Sequence, residues 1–168
     1  MLLWLIGMSG SGKTVVGKRV YQGLKANNDN VVFLDGDVFR NIIGDNLGHT
    51  LEDRKKNADR ICRMCKFLND ENIHVVCAIL SIFPESQQWN RENLKDYYEV
   101  YLKVSLETLI KRDSKGLYGK ALKGEIKNVV GVDIEFHPPL RPNLVVENEG
   151  DVPIEQIAEL ILRQLPIL

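Results

Sequence analysis

The segment Gly7-Met-Ser-Gly-Ser-Gly-Lys13-Thr14 sets glycines, a lysine and a hydroxyl at the spacing of a phosphate-binding loop. Its glycines free successive backbone amides to turn inward around phosphates at a helix start, where the helix dipole also favours negative charge. Gly7, Ser9, Gly10, Ser11, Gly12, Lys13 and Thr14 are therefore the expected nucleotide contacts. Lys13 should reach the β and γ phosphates and the Thr14 hydroxyl should bind magnesium, so ATP and Mg2+ are the expected cofactors. Asp35-Gly36-Asp37 follows the second apolar run, where two carboxylates can hold the hydrated metal and accept a proton from an attacking hydroxyl. The plainer use of the same pair is a turn with a helix cap. Thr14 and Asp35 are the candidate metal ligands. Arg40 lies three residues beyond Asp37, and Arg54 and Asn57 share one helix face. Guanidinium forks suit phosphate or sulfate oxygens, which implies an anionic acceptor.

These groups need a frame. Apolar runs at Leu2 to Ile6, Val31 to Leu34, Ile73 to Leu80, Val100 to Val104 and Leu144 to Val146 alternate with amphipathic segments. That alternation predicts an α/β fold, with a central parallel sheet covered by helices on both faces as in P-loop NTPase three-layer sandwiches. One helix should start at Thr50, where Thr50 and Asp53 resemble a capping box, and bury Ala58, Ile61, Cys62, Cys65 and Leu68. A last helix is announced by Asp151 and Pro153, with Ile154, Ile157, Ala158, Ile161, Leu162 and Leu165 as its stripe. Between Lys111 and Lys127 stand six basic and two acidic residues, interrupted by Gly116, Gly119 and Gly124. This segment reads as a mobile basic lid of about residues 111–135 or as a solvated surface loop, and its place in a nucleotide-binding chain favours the lid.

Length and composition exclude several classes. The 168 residues, 44% hydrophobic, suit one domain spanning 1–168. Lys plus Arg number 22 against 23 Asp plus Glu, so no global field would hold the chain to nucleic acid or to a membrane. No apolar run is long enough to span a bilayer. Cys62, Cys65 and Cys77, without a secretory signal, favour reduced thiols in a cytoplasm, and Cys62 and Cys65 sit on the apolar helix stripe instead of forming a zinc site. The NKxD signature of GTPase switches is missing, and a non-catalytic binding module is disfavoured by the intact Lys13, Thr14, Asp35 and Asp37.

GMSGSGKT at Gly7 to Thr14, LDGDVFR at Leu34 to Arg40, DRKKN at Asp53 to Asn57 and RDSKGLYGKALKGEIK at Arg112 to Lys127 together resemble the adenylylsulfate (APS) kinases. The resemblance implies phosphorylation of a ribose 3′-hydroxyl of a small nucleotide, with Asp37 near that hydroxyl and Lys13, Asp37 and Lys115 as the catalytic set. It implies that Arg112 and Lys115 lie in a lid over ATP, and that Arg40, Arg54, Asn57, Ser81 and Lys127 hold the acceptor beside Asp35 and Asp37. A homodimer is the candidate assembly. Two phenylalanines that sandwich the acceptor adenine in this family are replaced by His49 and Val129, and Ser81-Ile82-Phe83-Pro84 loses a proline and a basic residue, with Gln87 at a later arginine position. Stacking contributes on the order of 1 kcal/mol or more per base, so the pocket is expected to prefer another base unless Trp89 or Phe83 supplies a ring. The chain is similar to family members acting on cytidine diphosphoramidate in capsule phosphoramidate synthesis. The alternative is an ordinary APS kinase making 3′-phosphoadenylylsulfate in sulfate assimilation.

Overall fold

The computed structural model describes residues 1–44, 46–113 and 115–166. Among them, strands β1 (Leu2–Ile6), β2 (Val31–Asp35), β3 (His74–Ile79), β4 (Tyr97–Lys103) and β5 (Leu144–Glu147) form a parallel sheet in the order β2-β3-β1-β4-β5. Seven helices accompany the strands: α1 (Lys13–Lys25), α2 (Gly36–Ile42), α3 (Leu51–Asp70), α4 (Pro84–Asn93), α5 (Leu106–Arg112), α6 (Leu117–Leu122) and α7 (Ile154–Gln164).

Central strand β1 is apolar throughout because both of its faces are covered. Leu3 and Leu5 enter one core with Val16, Val20 and Leu24 of α1 and Ile157 and Ile161 of α7, while Leu2, Trp4 and Ile6 enter the opposite core with Ile61, Cys62 and Cys65 of α3. Period-2 alternation thus divides one strand between two layers. The Thr50 hydroxyl accepts from Asp53 N at 3.2 Å, which starts α3 as the capping pattern predicts. Burial pushes the Cys62 thiol up to about 12 and the Cys77 thiol well above its ordinary value, so these sulfurs pack as protonated thiols.

Strand β4 starts three residues before the apolar run at Val100, because buried Glu99 interrupts that run. The Glu99 carboxylate is neutralised by a two-pronged contact from Arg91 at 2.7 and 2.8 Å and by the Tyr97 hydroxyl at 2.9 Å. A charge inside a strand is tolerated where such partners meet it. A third, smaller core of Val104, Leu109, Tyr118, Ala121 and Val129 stiffens the segment between β4 and β5.

Candidate functional site

The turn between β1 and α1 stands at the carboxyl end of the central strand, where ligands of open α/β sheets bind. Its shape needs glycine: a Cβ on Gly7 would lie 2.4 Å from Ser11 Oγ, and one on Gly12, where φ is +91°, would lie 2.9 Å from Asn148 Nδ2. The turn is also tied down from outside. Asn148 Nδ2 donates to Ser11 O at 2.9 Å, the Tyr118 hydroxyl donates to Ser9 O at 2.7 Å, and Lys13 Nζ donates to Met8 O at 2.7 Å. The Ser11 side chain is fully buried and its hydroxyl makes no hydrogen bond, so it packs the loop from within. Crowding by the loop strips water from the Lys13 ammonium and lowers its pKa to about 8, against the pull of Asp35 and Asp37.

Asp35 caps α2, and its Oδ1 accepts from Asp37 N at 3.0 Å and from Val38 N at 3.5 Å. The cap and the functional reading are both satisfied, because Oδ2 is left to accept from Thr14 Oγ1 at 2.6 Å. Two hard oxygens side by side at the mouth of the loop fit magnesium, which is bound by one or two protein oxygens together with nucleotide phosphates. Among the described residues no cluster of three or more His, Cys, Asp or Glu could hold a metal by itself. Asp37 has a different partner: its Oδ2 accepts from Lys115 Nζ at 3.0 Å. Partial burial alone would raise the Asp37 pKa, but Lys115, Lys13 and Arg40 outweigh it and hold the carboxyl below its ordinary value. Asp37 is therefore ionised at neutral pH.

Arg112 lies nearby, donating from Nη2 to Asn148 O at 2.9 Å. Asn148 thus joins the phosphate loop to the start of the basic segment, and Tyr118 does the same from α6. Sequence reasoning passed over both. A lone Asn after a strand and a lone Tyr in a basic segment carry no local pattern, and only the sheet order brings them to the loop.

Around the residues expected to hold the acceptor stand arginines and carbonyls. Arg40 Nη1 donates to Leu47 O and Gly48 O, both at 3.0 Å, while Arg54 donates from Nε to His49 O at 2.9 Å and from Nη2 to Asn128 O at 2.8 Å. Burial first, and Arg40 second, lower the Arg54 pKa from its ordinary value. Asn57 shares a crevice with Arg40, Ile43, Asn46 and Leu47, and its buried Oδ1 has no hydrogen-bond partner. His49 and Lys127 are exposed. Two further residues expected to meet the acceptor are buried. Ser81, 6% exposed, turns its hydroxyl into the core, where it accepts from Trp4 Nε1 at 2.9 Å and Gln87 Nε2 at 3.4 Å. Val129, 3% exposed, packs into the small core with Leu109 and Tyr118. Trp89 packs against the core on the α3 side, and Phe83 lies beneath Lys55 Nζ at 5.4 Å.

Residues 1–147 match the family model described as adenylylsulphate kinase. The chain is 43% identical to the cytidine diphosphoramidate kinase of Campylobacter jejuni subsp. jejuni serotype O:2, over 99% of this chain and 96% of that protein. It is 36% identical to the adenylyl-sulfate kinase of Halothermothrix orenii, over 97% of this chain and 88% of that protein. Its fold superposes on the Mycobacterium tuberculosis APS kinase solved with AMPPNP and APS with a TM-score of 0.87, at 30% identity over 96% and 95% of the two chains.

Proposed function

The chain belongs to the adenylylsulphate kinase family and is a kinase that phosphorylates a hydroxyl group, and from that premise we propose that its acceptor is the ribose 3′-hydroxyl of a nucleotide with a 5′ diphosphate-like anhydride, cytidine diphosphoramidate above all. The observation that carries this reading is the division of labour between two neighbouring aspartates. Asp35 is turned to Thr14 and the metal position, while Asp37, held ionised, is turned to the lid lysine.

Asp37 takes the proton of the acceptor hydroxyl as its oxygen forms a bond to the γ-phosphorus and the bond to the bridging oxygen of ADP breaks. Lys13 offsets negative charge on the phosphates through that step, and Lys115 is within reach to leave Asp37 for them. Thr14 and Asp35 would hold a magnesium ion, which would supply further neutralisation of the phosphates when bound. Arg40, Asn57 and Lys127 are the donors for the charged 5′ group.

Two further points support the cytidine acceptor. The greater identity is to the cytidine diphosphoramidate kinase, and neither His49 nor the buried Val129 offers an adenine a stacking ring. The competing reading, an APS kinase, is favoured by the superposition on the APS-bound relative. Direct competition between cytidine diphosphoramidate and adenosine 5′-phosphosulfate at equal concentration, followed by separation of the two 3′-phosphorylated products, decides between them. A higher kcat/KM for the cytidine acceptor is expected, and a preference for adenosine 5′-phosphosulfate refutes the proposal.

A further inference from the structure

The carbonyls of Leu47, Gly48 and His49, three in succession, are all held by guanidinium groups, two by Arg40 and the third by Arg54. Arg54 alone also crosses to the lid, where its Nη2 meets Asn128 O at 2.8 Å. The far end of that bond is stiff. Asn128 has φ +66°, its N–H and that of Val129 each donate to the Asp133 carboxylate at 2.6 Å, and Val129 O accepts from the amides of Val132, Asp133 and Ile134. With the Val129 side chain anchored in the small core, this turn presents the Asn128 carbonyl outward at a set position.

We propose, on the nucleotide-acceptor reading above, that Arg54 is a positioning residue: it sets the gap between the His49 loop and the Asn128 turn, and through that gap selects the base. Two of its three guanidinium nitrogens are committed to carbonyls from segments far apart in sequence. A planar guanidinium is a rigid spacer between two acceptors, whereas a lysine ammonium is a point charge on a flexible stem. The two carbonyls it joins belong to the loop that carries exposed His49 and to the Asn128 turn, so the length of Arg54 fixes how far apart these segments stand and how large a ring could enter between them. Anion binding to the 5′ group then falls mainly to Arg40, Asn57 and Lys127.

Arg54→Lys keeps the charge and loses the spacer, and two measurements read the consequence. Hydrogen exchange by mass spectrometry on the unliganded protein should rise together in segments 46–50 and 126–134, with the central sheet unchanged. The ratio of kcat/KM for cytidine over adenosine acceptors with the same 5′ diphosphate should fall about tenfold, with KM for ATP nearly constant. Arg54→Gln should repeat both effects. Unchanged exchange in either segment overturns the proposal, and so does an equal loss on both acceptors with the ratio intact, which would make Arg54 a grip on the 5′ group. If the wild-type protein uses neither acceptor, the proposed function fails and the exchange result alone decides whether Arg54 is a strut.

Discussion

The phosphate loop and the loops around His49 and Asn128 differ in what holds them. The loop of Gly7 to Gly12 is tied through its own carbonyls to Asn148 at the end of β5, to Tyr118 of α6 and to Lys13, and Asn148 and Tyr118 are buried in the frame of the molecule. The segments around His49 and Asn128 are held by long arginine side chains reaching from α2 and α3. A site whose ligand does not vary can be built from backbone locked to a core, because nothing in it has to change. A site that must distinguish acceptors is built from side chains on loops, where one substitution alters the fit without disturbing the sheet.

The sharpest test lies where the two regions meet. Asp37→Asn keeps the shape of the side chain and removes the proton acceptor, so turnover should fall by about 10²–10⁴ while ATP affinity stays within a few fold, read by steady-state kinetics and nucleotide titration. Lost ATP affinity with normal turnover would move Asp37 to the nucleotide side of the comparison.

Next is Asn148→Ala, which leaves the Ser11 carbonyl without its buried donor. It should cost about 1–3 kcal/mol of stability, read as a lowered Tm, and raise KM for ATP with the acceptor KM unmoved. An effect confined to the acceptor would break the division.

The pH dependence is smaller and its sign follows from Lys13. Its ammonium has a pKa of about 8 in the free protein, and bound phosphates favour the charged form, so the complex keeps its proton to higher pH than the free protein. Nucleotide affinity should therefore be level below about pH 8 and fall above it, by at most about tenfold per unit. Titration of a fluorescent ATP analogue from neutral to alkaline pH checks this, and Lys13→Arg should flatten the slope because a guanidinium stays charged.

The smallest effect expected is that of His49→Phe, which restores one ring to an exposed loop position. It should shift the acceptor ratio toward adenosine by a few fold, about 1 kcal/mol. A shift in ATP affinity instead would mean that the two regions are not separate.

Much of this was legible along the chain. The strand before Gly7, the helix after it, the Thr50 cap and the split of β1 between two cores all follow from spacings within a few residues, where backbone geometry and alternation act directly. Ser81 was not legible, because its motif names a hydroxyl but not its direction. Its φ of +50° and the Trp4 indole, which is distant in sequence, turn it inward. The burial of Val129 was not legible for the same reason, since a substitution in a motif does not say whether the new side chain lines a pocket or fills a core.

The sequence by itself determined the kind of chemistry, a phosphate loop followed by the Asp35-Gly36-Asp37 pair of a kinase, because both depend on residue type and short spacing. Tertiary structure alone decided which Asp35 oxygen faces Thr14, that Asp37 meets Lys115, that Asn148 and Tyr118 lock the loop, and that Arg54 spans two segments. Those contacts join residues far apart in the chain. Their geometry depends on sheet order and on the packing of α3 and of the segment between β4 and β5, which local spacing does not encode.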